Sequence, residues 1–99
     1  MNDVQNVIVS LHTAATMGDA RAVDQLLQVH RPLVNHPNKF GHTALHLAAY
    51  HNQPQVVRIL LQHGANAHAK DSYGMTPLQL AQDAGHQRII QILASNWKR

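Results

Sequence analysis

The sequence contains no cysteine and no glutamate, and Phe, Tyr and Trp together supply four residues. Without cysteine there is no disulfide framework, no thiolate zinc site and no thiol nucleophile. Charged residues make up 13% of the chain, roughly half the usual share. The net charge of +3 therefore reflects scarce acids more than a basic patch. No stretch approaches the ~18 apolar residues of a membrane span. Met1-Asn2-Asp3-Val4 lacks a basic start and a long apolar run, so a secretory leader is not expected. These absences predict a soluble, reduced, cytoplasmic chain. At 99 residues it has room for one small domain, expected over 1–99.

What is present is repetition. Gly41-His42-Thr43-Ala44-Leu45-His46-Leu47-Ala48 aligns with Gly74-Met75-Thr76-Pro77-Leu78-Gln79-Leu80-Ala81 at an offset of 33. The same offset carries Val57-Arg58-Ile59-Leu60 onto Ile90-Gln91-Ile92-Leu93. Leu11-His12-Thr13-Ala14-Ala15 matches Leu45 to Ala49 at 34, the extra residue falling between Arg31 and Asn38. Each unit carries its own punctuation. Thr43 and Thr76 are placed to cap a first helix, with Pro77 at its first turn. Gly18-Asp19, Asn52-Gln53-Pro54 and Gly85-His86 break the chain before a second helix, and Gly64 supplies a left-handed stop. Asp3 is the expected cap of a longer opening helix, with Val4, Val7, Ile8 and Leu11 at helical spacing. Ala48 and Ala81 are expected at close helix contacts, and Ala67 in a more exposed connection.

These residues resemble the ankyrin repeat, whose 33-residue unit carries T-P-L-H-x-A. Thr43 to Ala48 shows it with Ala for Pro, and Thr76 to Ala81 with Gln for His. Gly64-Ala65-Asn66-Ala67-His68 matches the motif after the second helix in part. The resemblance implies an all-α solenoid of about three helix-turn-helix units, near 1–37, 38–70 and 71–99, joined by hairpin-like fingers. About three units is the minimum for a stable stack. Trp97 is expected to cover the open end of the core, ahead of the short tail Lys98-Arg99.

The resemblance also implies a concave surface that binds partner proteins. Its positions map onto Lys39, Phe40 and His42 of one finger, Tyr50 and His51 of a first helix, and His63 ending a second helix. The next unit adds Lys70, Ser72, Tyr73 and Met75 from its finger, and Asp83 and Ala84 from its helix. Thr16, Met17 and Val29 come from the first unit. Clustered aromatic and Met side chains are typical of interface hot spots. The expected activity is therefore binding of another protein, as an inhibitor or adaptor such as an immunity protein or effector, by a monomer or within a hetero-complex.

Other classes are weaker. Nine histidines raise the alternative of a His-dependent metal- or pH-responsive binder, since His42 and His46 are four apart. Yet His46 and His12 hold the signature position whose His, in the family, ties repeats together. No further ligands complete a metal pattern, so no metal and no cofactor is expected. Ser10, Ser72 and Ser95 sit in no nucleophile elbow, and no glycine-rich phosphate loop exists. No catalytic residue and no small-molecule substrate are expected. Arg21, Arg58 and Arg88 occur once per unit, a dilute stripe that makes nucleic-acid binding the remaining alternative.

Overall fold

Thr43 shows how the sequence starts its helices. In the computed structural model, which describes residues 3–97, its hydroxyl accepts the His46 N–H while the His46 ring accepts the Thr43 N–H. Thr76 and Gln79 make the same reciprocal pair, with Pro77 at the first helical position. Both are capping boxes, and one uses His where Glu or Gln is usual. Gly64 ends its helix at φ 90°, and the N–H groups of Gly64 and Ala65 close back on the carbonyls of Leu61 and Leu60. This is a Schellman stop.

Among the described residues six helices result: α1 (Asp3–Met17), α2 (Ala20–Val29), α3 (Ala44–Tyr50), α4 (Pro54–Gln62), α5 (Pro77–Ala84) and α6 (Gln87–Asn96), with a 3-10 turn at Arg31–Leu33. No strand occurs among the described residues. Asp3, expected as a cap, is already helical and is the first residue described. The tail Lys98-Arg99 lies outside the described residues.

Helices α1, α3 and α5 pack side by side as one layer, and α2, α4 and α6 as a second. The first layer is thin because Ala15, Ala48, Ala49 and Ala81 are fully buried at its contacts. Larger side chains, among them Leu27, Val57, Leu60, Ile89 and Leu93, fill the space toward the second layer. Ala67 departs from expectation: it is buried and belongs to the same core cluster.

Histidines account for much of the polar stitching. His46 donates from Nε2 to the Met75 carbonyl at 2.9 Å, and His12 from Nε2 to the His36 carbonyl at 3.0 Å. His86 donates from Nδ1 to the Ala49 carbonyl, as Gln53 Nε2 donates to that of Thr16. His68 reaches the Trp97 carbonyl, with the two rings 4.0 Å apart. Trp97 is half-buried and shares a hollow with Lys70, Thr76, Leu78 and Gln79.

Candidate protein-binding groove

Two residues that share a repeat position build the fingers. The Asn38 side-chain oxygen accepts the N–H groups of Phe40 and His42, at 2.9 and 3.0 Å. Asp71 accepts those of Tyr73 and Met75, both at 2.9 Å. In each finger the backbone closes between the ends, Asn38 to His42 and Asp71 to Met75. The fingers are joined directly by the Ser72 N–H, which donates to the Phe40 carbonyl at 3.0 Å. His42 adds a second rung, Nε2 to the Asp71 carboxylate at 3.1 Å.

Burial alone would raise the Asp71 carboxyl. The N–H groups of Met75 and Tyr73 and the adjacent His42 outweigh it and hold the pKa below the ordinary 3.8. The carboxylate is therefore ionised at neutral pH, and its charge is already engaged. Burial likewise pushes the His46 imidazole below 6.5, an effect its bond to the Met75 carbonyl only partly offsets. Neutral His46 uses both nitrogens, Nδ1 as acceptor for Thr43 and Nε2 as donor to Met75. Its ring lies 5.7 Å from that of His42, but no lone pair remains for shared metal binding. Among the described residues no group of three or more His, Cys, Asp or Glu is placed to hold a metal.

Between the first finger and the exposed side of α3 and α5 runs a groove of about 390 Å³, lined by Asn38, Phe40, His42, Leu47, Tyr50, His51 and Leu80. Phe40 and Tyr50 are each 51% exposed. The Lys39 ammonium lies 5.3 Å from the centre of the Phe40 ring, within cation–π range. His51 meets the Tyr50 ring edge-on at 5.2 Å. The rim is therefore aromatic and cationic over an aliphatic floor.

Of the residues selected from sequence, Lys39, Phe40, His42, Tyr50 and His51 come together here. Ser72 and Tyr73 are exposed on the second finger, Met75 is half-buried there, and Met17 and Asp83 are exposed on α1 and α5. Lys70 lies instead in the hollow beside Trp97. His63 is not a surface residue. It is buried, donating from Nε2 to Asp24 at 2.8 Å and accepting from Arg31 on Nδ1 at 3.2 Å. The cause is topological: α4 belongs to the second layer, so its end packs against α2 and the connection after it rather than facing the groove. Val29, which ends α2, is exposed but in that same layer. Leu47 and Leu80 were not selected, although they share one repeat position and stay half-buried.

The geometry defines a helical-repeat solenoid carrying a preformed, mostly apolar groove. The family described as ankyrin repeats, in three copies, matches residues 11–98, and the chain belongs to it. Such repeats are generally protein–protein interaction modules. The chain is 41% identical over 86 residues to the transient receptor potential cation channel subfamily A member 1 homolog of Caenorhabditis elegans, covering 87% of this chain and 7% of that protein. It is 39% identical over 90 residues to the ankyrin repeat protein YahD of Escherichia coli (strain K12), covering 86% and 45%. With the serine/threonine-protein kinase VIK of Arabidopsis thaliana it shares 38% over 82 residues, covering 83% and 19%. The chain thus spans less than half the length of each of these relatives. Among the described residues no helix is long and apolar enough to cross a membrane.

Proposed function

We propose that this chain binds a partner protein in the groove between the first finger and helices α3 and α5, acting as an inhibitor or adaptor. The observation that carries this is the pairing of half-exposed Phe40 and Tyr50 across an aliphatic floor. Exposed aromatics beside a pocket are where binding energy concentrates. The mechanism is occupancy: fingers locked by Asn38, Asp71 and the Ser72–Phe40 bond present a surface that needs little reorganisation on binding. A cytoplasmic monomer, or one chain of a hetero-complex, fits this use, and an immunity protein or effector would be one form of it.

Truncating Phe40 and Tyr50 to Ala tests the assignment. Partner affinity should fall about thirtyfold, the equivalent of ~2 kcal/mol. The unfolding midpoint should hardly move, because exposed substitutions usually stay within about ±0.5 kcal/mol. Changing Arg21, Arg58 and Arg88 on the second-layer helices to Gln should alter neither. Loss of binding in the arginine set, with the aromatic set intact, would move the working face to the outer layer.

A further inference from the structure

The groove lining carries no carboxylate. Helix α3 contains no charged residue, and α5 contributes only Asp83, which is exposed outside the groove lining. The acid nearest the finger, Asp71, has a side chain only 2% exposed and is engaged by two N–H groups and His42. The Lys39 ammonium sits over the Phe40 ring at the groove wall. Among the described residues, the carboxylates that make ion pairs are Asp71 and Asp24, both with histidines, and Lys39 has no carboxylate partner. Exposed His51 adds a second nitrogenous group on the opposite rim. The groove volume of about 390 Å³ falls at the small end of ligand sites, ~300–1,000 Å³. It accepts side chains, not a folded surface.

From this complementarity we infer that the groove's occupant is an acidic, apolar-anchored peptide segment of the partner. A large apolar side chain rests on Leu47 and Leu80 between Phe40 and Tyr50, and a neighbouring carboxylate pairs with Lys39. This rests on the proposed groove binding and specifies its ligand. A carboxylate suits the site because Lys39 offers a compact charge with three donors and no competing protein acid. The aromatic pair supplies anchoring that does not depend on charge.

The test is a random dodecapeptide display selection against the full chain, followed by fluorescence anisotropy of the enriched peptides. Enriched sequences should place Asp or Glu within about two residues of Leu, Ile, Met or Phe, as short-range pairing demands. Lys39→Glu should weaken them about tenfold and Tyr50→Ala at least as much, while Arg58→Glu should change affinity less than about twofold. Raising salt from about 50 to 500 mM should weaken them severalfold, because a rim charge pair is screened. The inference is overturned if nothing is enriched, if the enriched flanks are neutral or basic, or if Lys39→Glu has no effect. It is also overturned if a mixed-sequence single-stranded oligonucleotide displaces the peptides at equal concentration. Neutral or basic peptides that still depend on Tyr50 would remove this ligand class and leave the groove standing. Acidic peptides lost in Arg58→Glu but not in Tyr50→Ala would remove both.

Discussion

Gly41→Ala should lower stability by about 3 kcal/mol, while Gly74→Ala, at the same repeat position, should cost only about 1 kcal/mol. Both glycines have φ 78°, so both substitutions carry the strain of a side chain in the left-handed region. Their surroundings differ. A Cβ on Gly41 would lie 2.7 Å from the Ser72 backbone nitrogen and 3.0 Å from Asp71 backbone atoms, whereas one on Gly74 meets nothing within 4 Å. Backbone cannot rotate aside as a flexible side chain does. The first finger must therefore pull away from the second, stretching the Ser72-to-Phe40 hydrogen bond and the His42–Asp71 contact. For a domain of this size ~1 kcal/mol moves the melting point by about 4–8 °C. Thermal unfolding followed by circular dichroism should separate the two variants by 10 °C or so, on the same scaling. Equal midpoints would mean that the fingers are not packed as described.

His46→Ala should be comparably damaging. His46 is fully buried and serves both the Thr43 N–H and the Met75 carbonyl. Removing it leaves two groups unpaired at ~1–3 kcal/mol each, together with a cavity. His46→Gln should be milder by at least about 1 kcal/mol, because Gln79 shows that Gln can complete the same cap. Protonation acts on the same contacts. His12 and His46 both have pKa values lowered from 6.5, in each case chiefly by burial. Below pH 6.5 the unfolded chain then binds more protons than the native one, so stability falls as pH falls. Their contribution is complete above 6.5 and is lost as pH drops through the lower folded-state values. Asp71, lowered from 3.8, opens a second window of loss at more acidic pH. Urea unfolding at about pH 7.5, 6.0 and 5.0 should show a declining midpoint, with a shallower decline in His46→Gln. A midpoint that holds or rises on acidification of the parent would contradict this role for the buried imidazoles.

The helices were readable from the sequence because their determinants are local. Thr43, Thr76, Pro77 and Gly64 each act within one turn of their own position, and the offset of 33 repeats them. Side chains that reach across units were harder to place. The offset alone does not say whether a residue at the end of a second helix faces solvent or a neighbour. His63 was expected on the surface and is instead held between Asp24 and Arg31, both in an earlier unit. The groove's aromatic rim is legible because Phe40 and Tyr50 stand out in a chain poor in aromatics. Its floor is not, because the offset of 33 does not distinguish Leu47 and Leu80 from the buried leucines around them. The shared role of Asn38 and Asp71 is not legible either, although the offset of 33 relates them. Their role depends on finger backbone N–H groups that only folding brings to the side-chain oxygen. The abundance of histidine, which invited a metal reading, is accounted for largely by donors to backbone and carboxylate oxygens in neighbouring segments.

Photocrosslinking in the native cell tests the groove most directly. A benzophenone amino acid would replace Tyr50 in one variant and Arg58 in another, both exposed and on opposite layers. Irradiation should yield a discrete protein adduct from position 50, abolished when Phe40 is also changed to Ala, and none from position 58. An adduct from position 58 with none from position 50 would contradict the assignment of the groove as the binding face.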